Sequence, residues 1–338
     1  MEKKPGRNPL ENVSAFRRAL CGWFETQGKD YPWRRTRDPY AILVSELMLQ
    51  QTRIQTVLER GYYSRWMERF PNTAVLAGAP EAEVLQSWEG LGYYNRARNL
   101  QKAALKIEEE HAGRFPIDME GLLDLPGVGR YTAGAVASFA FNRPAPIVDG
   151  NVARVLTRLL EREVPIDSKA GQRWLWETAE TLLAPRKAAV FNSAIMELGQ
   201  TFCGLNPACQ ECPVSAFCLS RKPETLPKKE RKKTMTERQE AVAFLTRGRA
   251  VLLTPDPARS GMWRLPEASA AEKAGAILHR LRYTITRYRV QLTIHPGQTR
   301  RREGLWVPRE DLADYPMRSP YRKALEVLLA GASQPQLL

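Results

Sequence analysis

The stretch of chain before Cys203 is patterned for helices almost without interruption. Apolar residues recur at every third or fourth position, and hardly any segment alternates with a period of two. This part of the chain is therefore predicted to be almost entirely helical. The pattern predicts helices over residues 10–28, 39–60, 62–70, 73–77, 80–87, 95–111, 118–124, 130–141, 151–160, 168–184 and 187–199.

The pattern changes after the cysteines. Residues 221–238 are polar and highly charged, which is typical of a linker. Beyond them, strands are predicted over 241–246, 250–254, 283–295 and 304–307, and helices over 270–280 and 319–330. We therefore expect a helical domain over residues 1–220, a linker over 221–238, and an α+β domain over 239–338.

Charge and hydropathy limit the possible partners and compartment. The chain has 338 residues and a formal net charge of +14, which favours a polyanionic partner such as a nucleic acid. No run of 18 apolar residues exists, and the basic N-terminus lacks the apolar stretch of a signal peptide. We expect a cytoplasmic, nucleoid-associated protein that does not bind membranes.

A tight turn over Leu125–Gly129 joins two apolar helical segments. Gly127 and Gly129 flank one valine, so the backbone can turn sharply and leave its amides uncovered. Amides at the start of a helix suit a phosphate oxygen, because the helix dipole favours anions there. The alternative is an ordinary turn between two helices.

Two carboxylates are candidates for chemistry. Glu46 lies in an apolar run, where burial is costly unless the carboxyl is paired or its pKa rises. Asp149 precedes Gly150 and an apolar-periodic helix. The alternatives are a solvated helix face for Glu46 and a plain helix N-cap for Asp149. Cleavage of a glycosidic bond requires one protonated and one ionised carboxyl group.

Four of the five cysteines cluster in one short segment, with the spacing Cys203-x5-Cys209-x2-Cys212-x5-Cys218. Four thiolates can hold either zinc or a 4Fe–4S cluster. Zinc sites usually combine two Cys-x2-Cys pairs. Only one such pair is present, which favours the iron–sulfur cluster.

The order of these motifs resembles the MutY family of adenine DNA glycosylases, over nearly the whole chain. The shared segments are 46–52, 88–94, the turn at 125–129, 148–152 and the four cysteines, and the first 225 residues carry the sharpest matches. The resemblance implies a mainly α, helix-hairpin-helix glycosylase fold with an iron–sulfur cluster loop and a C-terminal α+β Nudix-like domain. The family pattern has six residues in the first cysteine gap, whereas this chain has five.

The resemblance also implies roles for individual residues. Glu46 would protonate N7 of adenine, and Asp149 would stabilise the sugar cation, with Tyr131 and Asn151 completing the catalytic group. Positions that wedge into the duplex or contact 8-oxoguanine are matched by Gln51, Thr52, Leu91 and Tyr93. Positions around the flipped adenine are matched by Trp33, Arg34, Tyr131 and Glu197, and the glycines of the hairpin by Gly127 and Gly129. Adenine must leave the base stack to reach such a pocket.

One residue distinguishes this expectation from the endonuclease III branch. That branch has a nucleophilic lysine where this chain has Tyr131, and a phenol cannot form a Schiff base. We therefore predict a monofunctional glycosylase that leaves an abasic site. The alternatives are a bifunctional endonuclease III-like glycosylase and lyase, and a catalytically silent, structure-specific DNA-binding protein. Retention of both carboxylates argues against the silent binder.

The C-terminal domain is predicted to read the base opposite adenine. Gly261–Pro266 resembles a strand of Nudix-like folds, but the acidic box that binds Mg²⁺ is missing. The family inspects 8-oxoguanine with a Phe-Ser-His loop, and Ile285, Thr286 and Arg287 occupy that place here. Arg287 offers donors for a purine edge or a phosphate. The expected partner is duplex DNA with an adenine:8-oxoguanine or adenine:guanine mispair, bound by a monomer.

Overall fold

The computed structural model describes residues 7–230, 235–285, 287–298 and 304–331. The described chain forms two compact units. One comprises residues within 1–77 and 99–232, and the other comprises residues within 78–98 and 233–338. The predicted boundaries at 220 and 239 stay a prediction. The inclusion of residues 78–98 in the second unit has no counterpart in the sequence analysis.

The chain up to Cys203 is helical, as predicted. Its helices are α1 (Val13–Gln27), α2 (Pro39–Leu49), α3 (Ile54–Glu59), α4 (Tyr62–Arg69), α5 (Thr73–Gly78), α6 (Glu81–Ser87), α7 (Asn95–His111), α8 (Met119–Leu123), α9 (Arg130–Phe139), α10 (Gly150–Leu159), α11 (Lys169–Leu182) and α12 (Ala188–Thr201). No helix of the described residues has both the length and the apolar character that a membrane span requires.

The prediction of a single long helix over residues 39–60 is wrong. The structure has two helices, α2 and α3, separated by residues 50–53. Gln51 lies in the left-handed region with φ of 58°, which a continuous helix does not allow. The break turns residues 50–53 into a short loop beside the end of α2.

Helix α2 is buried on all sides. Every residue from Tyr40 to Met48 is buried, so this helix has no solvated face. A helix that is apolar all round belongs in a protein core. Glu46 is the one ionisable side chain between Tyr40 and Met48, and it is therefore carried into the interior by its neighbours.

The core around the cysteine segment is formed mainly by α1, α10, α11 and α12. Phe16 packs edge-on against Phe191 and Phe217, with ring centroids 6.3 and 5.8 Å apart. Cys203, Cys212 and Cys218 pack against the same core. This packing places the start of α10 and the cysteine segment on one rigid support.

The segment after Cys218 is anchored rather than free. The amide of Leu219 donates to the carbonyl of Leu159, and the amide of Ile166 donates to that of Lys228. The amide of Glu230 donates to Oδ1 of Asp167 at 2.8 Å. The first part of the predicted linker is therefore tied to the helical unit, and residues 231–234 lie outside the described residues.

The C-terminal residues form an α+β arrangement, as predicted. Its elements are β1 (Thr236–Phe244), β2 (Thr246–Arg247), β3 (Ala250–Pro255), β4 (Trp263–Arg264), α13 (Ala270–Lys273), β5 (His279–Ile285), β6 (Tyr288–Pro296), β7 (Leu305–Pro308) and α14 (Ser319–Gly331). One sheet has the order β1-β6-β5, with β1 parallel and β5 antiparallel to β6. In the other, β2, β4 and β7 each pair antiparallel with β3.

Three predicted elements differ in this region. The strand predicted over 283–295 is a hairpin of β5 and β6, and the helix predicted over 270–280 ends at Lys273. Strand β1 begins at Thr236, inside the predicted linker. Alternation continues through a tight hairpin, so the pattern alone does not reveal the turn.

Candidate active site

The carboxyl group of Glu46 is buried in the helical unit. Glu46 is 5% exposed, and burial raises the pKa of its carboxyl group to about 7. The hydroxyl of Tyr131 and the guanidinium of Arg34 oppose this rise, and the charge of Asp149 adds to it. A carboxyl with this pKa is protonated in a large fraction of molecules near neutral pH, as a general acid must be.

The hydroxyl group of Tyr131 interacts with the charges of both Glu46 and Asp149. It is in the first turn of α9, where its hydroxyl donates to Sδ of Met196 at 3.9 Å and lies near enough to the Glu46 carboxyl group to affect the pKa of that group. Burial and then the charges of Glu46 and Asp149 raise the pKa of the Tyr131 hydroxyl well above its ordinary value. The phenol therefore stays neutral and acts as a donor.

Asp149 is both a helix N-cap and a cavity residue. Its Oδ1 accepts from the amide of Val152 at 2.7 Å, and its Oδ2 accepts from Nδ2 of Asn151 at 2.8 Å. Burial raises the pKa of Asp149, and these two donors lower it, with the net direction upward. The capping alternative is thus true, yet it does not exclude a chemical role, because the carboxylate also lines the cavity described next.

Two adjoining cavities meet at Glu46. One, of about 680 Å³, is lined by Asp149, Tyr131, Asn151 and the 50–53 loop. The other, of about 180 Å³, is lined by Trp33, Arg34 and other aromatic and apolar side chains. Both share Glu46, Leu49, Ile54, Met196 and Gln200. Met196 and Gln200 were missed by the sequence analysis, and their only signal is their position one helical turn apart on α12.

Glu197 anchors the loop that forms one wall of the smaller cavity. It is 1% exposed, and it accepts from the amide of Lys29 at 2.8 Å and from Nη1 of Arg34. The guanidinium of Arg34 also stacks over the ring of Tyr31, 4.7 Å from its centroid. Trp33 is buried and stacks on Tyr31 at 5.3 Å. These contacts fix the position of the Arg34 side chain in the lining of the smaller cavity.

The predicted hairpin is present between α8 and α9. Gly127 has φ of 78°, and a Cβ added there would lie 2.5 Å from Cβ of Asn99. Gly129 is the N-cap of α9 with φ of −91° and open space around it. No side chain caps the start of α9 at Gly129, and the first amides of a helix are the groups that an anion site at a helix start uses.

Gln51 and Thr52 lie in the 50–53 loop and line the larger cavity. The amide of Thr52 donates to the carbonyl of Leu49 at 3.3 Å, and Nε2 of Gln50 approaches Oγ1 of Thr132 at 3.4 Å. The break between α2 and α3 therefore places both predicted residues at the mouth of the cavity that holds the carboxylates.

Leu91 and Tyr93 belong to the second unit, in a loop with unusual backbone geometry. Gly90, Gly92 and Tyr93 have φ of 93°, 68° and 46°. Nη2 of Arg96 donates to the carbonyls of Leu91 and Gly92, at 2.9 and 3.1 Å. Leu91 is buried, whereas Tyr93 is 42% exposed. A strained, internally bonded loop thus presents a tyrosine ring to solvent.

The predicted lesion-reading residues fall at the tip of the β5–β6 hairpin. Thr286 lies outside the described residues. Arg287 is exposed, with Nη2 3.1 Å from the hydroxyl of Tyr288, and its carbonyl accepts from the amide of Thr236. Ile285 ends β5. The described part of this tip therefore carries a solvent-facing guanidinium.

The four clustered cysteines are near one another in one segment. Burial raises the pKa of the Cys212 thiol to about 11, and the charges of Cys203, Cys218 and Cys209 raise it further. Within the described ranges no three metal-type side chains meet closely enough to hold one ion. A 4Fe–4S cluster spreads its four thiolates over several iron atoms and needs no such meeting. Four cysteines in one segment are a donor set that fits a 4Fe–4S cluster.

Two arginines of α10 connect the cysteine segment to Asn151. Nε of Arg154 donates to the carbonyl of Cys203 at 2.6 Å, and its Nη2 donates to Oδ1 of Asn151 at 2.8 Å. Nη1 of Arg158 lies 3.5 Å from Sγ of Cys203 and donates to the carbonyl of Gly204 at 2.6 Å. The sequence analysis missed both, although their spacing of four on the helix after Asp149 was visible.

Comparisons with known proteins agree with this architecture. The HhH-GPD superfamily of base excision DNA repair proteins matches residues 44–178, which include Glu46, the hairpin, Tyr131 and Asp149. The structure of a thermostable thymine-DNA glycosylase is similar with a TM-score of 0.55 and 31% identity, over 62% of this chain and 95% of that one. The chain belongs to this superfamily, which confirms the family-level prediction and the fold class.

Two further proteins are similar to this chain, one by sequence and one by structure. A human adenine DNA glycosylase is 46% identical over 222 residues, which cover 63% of this chain and 40% of that protein. A trapped endonuclease III–DNA covalent intermediate is similar with a TM-score of 0.52 and 25% identity, over 63% of this chain and 99% of that one. The chain spans about two fifths of the length of the mammalian adenine DNA glycosylases that it matches.

Proposed function

We propose that this protein is a DNA glycosylase that removes adenine mispaired with 8-oxoguanine, or with guanine, from duplex DNA. The observation that carries the proposal is the shared cavity of Glu46 and Asp149, in which Glu46 has a pKa of about 7. The adenine DNA glycosylases and the endonuclease III–DNA complex among its relatives support the base and the nucleic acid. We also propose that the protein acts as a monomer and is cytoplasmic and nucleoid-associated.

The chemistry divides between the two carboxyl groups. Glu46 delivers its proton to N7 of the flipped adenine, the C1′–N9 bond breaks, and its electron pair leaves with the base. Asp149, as a carboxylate, stabilises the cationic sugar. Water adds to C1′ and gives its proton to the Glu46 carboxylate, which restores the acid and leaves an abasic site. The neutral hydroxyl of Tyr131 lines the same cavity and offers a donor beside the Glu46 carboxyl group.

Cleavage of the strand is not part of the proposed reaction. A lyase needs an amine that forms an imine with C1′, and Tyr131 has none. Among the described residues that line the two cavities there is no lysine. The proposal is therefore a monofunctional enzyme, which distinguishes it from the bifunctional alternative.

A 4Fe–4S cluster bound by Cys203, Cys209, Cys212 and Cys218 is also proposed. When bound, it supplies a rigid, charged anchor for the loop rather than excision chemistry. Arg154 and Arg158 hold the carbonyls of this loop, so a folded loop keeps Asn151 beside Asp149. A brown protein with four irons per chain supports this assignment, and a colourless protein with one zinc contradicts it.

The test of function is a single-turnover assay on labelled duplexes with adenine opposite 8-oxoguanine, guanine, cytosine or thymine. Each sample is read with and without alkali. We expect breaks only after alkali, fastest opposite 8-oxoguanine. Equal rates opposite guanine would contradict lesion reading, breaks without alkali would indicate a lyase, and no breaks would favour the silent binder.

Asp149→Asn tests the carboxylate with a matched control. The expected result is collapse of cleavage with retained affinity for the mispair, because Asn preserves the cap and removes the charge. Asp118→Asn is the control, since Asp118 caps α8 in the same way and lies outside both cavities. Parallel loss of binding, or cleavage that is unchanged in Asp149→Asn, would contradict the assigned role.

A further inference from the structure

The second unit contains a cavity of its own, on the sheet formed by β1, β6 and β5. Its volume is about 470 Å³, within the range of about 300–1,000 Å³ typical of small-molecule sites. Its floor carries Gln291 and Thr293 of β6, and one wall carries Ile277, which follows α13. None of these residues takes part in the excision chemistry, so the cavity needs a separate explanation.

Four cationic side chains converge on this cavity. They are Arg238, Arg264, Lys273 and Arg280. Four separate segments contribute them, namely β1, β4, α13 and β5. Only two carboxylates, Glu240 and Glu267, line the same space. A surplus of positive charge in a concave, partly enclosed site attracts anions more strongly than the same charge on an open surface.

The two carboxylates are already engaged. Oε2 of Glu240 accepts from the hydroxyls of Tyr283 and Tyr321, at 2.9 and 2.8 Å. Oε1 of Glu267 lies 3.5 Å from Nζ of Lys273. In contrast, Arg264 and Arg280 have no carboxylate partner among the described residues. Two planar guanidinium groups are thus available for an external anion.

A buried histidine fixes the geometry of the wall. His295 is 2% exposed and lines the cavity. Its Nδ1 lies 3.0 Å from the carbonyl of Ala276, to which it must donate, and its Nε2 lies 3.1 Å from Oγ1 of Thr293. The segment that bears Ile277 is therefore held against the sheet, and the site is formed before any ligand binds.

We propose that this cavity binds a small phosphorylated molecule of mononucleotide size, with Arg264 and Arg280 on its phosphate groups. Guanidinium groups bind phosphate oxygens in a bidentate manner. The amide of Gln291 and the hydroxyl of Thr293 suit the polar edge of a base or sugar, and Ile277 offers an apolar contact for a ring. A concave site of this volume, lined from four segments, suits a compact ligand better than an extended duplex backbone.

The test is calorimetric titration of the full-length protein with dGTP, dATP, pyrophosphate and deoxyguanosine at near-physiological salt. We expect both nucleotides and pyrophosphate to bind, and deoxyguanosine, which lacks phosphate, to produce no heat. Arg264→Gln combined with Arg280→Gln should weaken dGTP binding by about tenfold or more, because two charge-assisted contacts are lost. Arg249→Gln combined with Arg289→Gln removes the same charge from the same unit outside the cavity, and should change affinity by less than about twofold.

The remaining outcomes each overturn the proposal. The proposal is wrong if none of dGTP, dATP and pyrophosphate binds, or if deoxyguanosine binds as tightly as dGTP. It is also wrong if the two double variants lose the same amount of dGTP affinity. Displacement of dGTP by a short undamaged duplex, lost in Arg264→Gln/Arg280→Gln alone, would assign the cavity to the DNA backbone instead. If that double variant does not fold, Arg280→Glu alone, at an exposed position, provides the same comparison. None of these readouts depends on excision, so they fail or succeed independently of the proposed glycosylase.

Discussion

Asn151 donates a hydrogen bond of 2.8 Å from Nδ2 to Oδ2 of Asp149, and its Oδ1 accepts one of 2.8 Å from Arg154. The first bond stabilises the ionised form of a carboxylate whose pKa burial raises. The second fixes the orientation of the amide, because only the oxygen of Asn151 can accept from a guanidinium. The charge of Asp149 therefore depends on a side chain that does no chemistry itself.

Asn151→Ala should move the acidic limb of the pH–rate profile to higher pH. Loss of the amide raises the pKa of Asp149 further, so a larger fraction of Asp149 is protonated and inactive in mildly acidic buffer. Single-turnover rates should fall most at low pH and recover toward neutral pH. Gln172→Ala, which removes an amide bonded to the carbonyl of Ile166 outside both cavities, is the control. A uniform loss at every pH would contradict this account.

Glu46→Gln should abolish excision and stabilise the fold at alkaline pH. In the unfolded chain the carboxyl has its ordinary pKa of 4.5, and in the folded chain its pKa is about 7. As the pH rises through this window the unfolded state loses its proton first, so the wild type loses stability. Between pH 5 and 8 the advantage of the variant in free energy of unfolding should grow by about 2–3 kcal/mol. Denaturant unfolding at both pH values measures it.

A matched substitution checks the stability effect of Glu46→Gln. Glu272 is also 5% exposed, but it lies in a capping box of α13 and accepts from the amides of Ser269 and Gln298. Glu272→Gln should leave excision intact. A constant stability difference for Glu46→Gln at both pH values would show that Glu46 is ionised throughout, which would also remove it as the acid.

Tyr131→Lys should convert part of the activity into strand cleavage. The substitution places an amine beside Glu46 and Asp149, where it can attack C1′ and form an imine. Borohydride should then trap a covalent protein–DNA complex that the wild type does not form in comparable yield. Tyr131→Phe removes the same hydroxyl without adding an amine, and trapping in that variant would contradict the explanation.

Gly127→Ala should destabilise the hairpin, whereas Gly129→Ala should have little effect on stability. At Gly127 a methyl group meets Asn99 at 2.5 Å and φ is 78°, while Gly129 has open space and an ordinary φ. We expect a loss of about 1–3 kcal/mol for the first and less than about 1 kcal/mol for the second, because alanine caps a helix less well than glycine but meets no clash there. Urea unfolding separates the two variants. Equal losses would show that the left-handed geometry at Gly127 is not required.

The sequence predicts the helical unit well and its irregular positions poorly. Helical spacing and capping residues are local signals, so most helix bounds before Cys203 agree to within a few residues. The break at Gln51 and the hairpin within 283–295 were missed. In both cases the apolar period continues across a change in backbone direction that depends on distant packing.

The amino-acid sequence by itself determined the fold class, the family and the residue types available for chemistry, because periodicity and motif spacing are properties of the chain. Only the tertiary structure decided what those residues can do. The carboxyl group of Glu46 retains a proton near neutral pH because α2 is enclosed on every side. Asp149 both caps α10 and lines the cavity, because α10 begins at the edge of that cavity. Burial and electrostatic coupling arise from neighbours that are remote along the chain, and no local pattern encodes them.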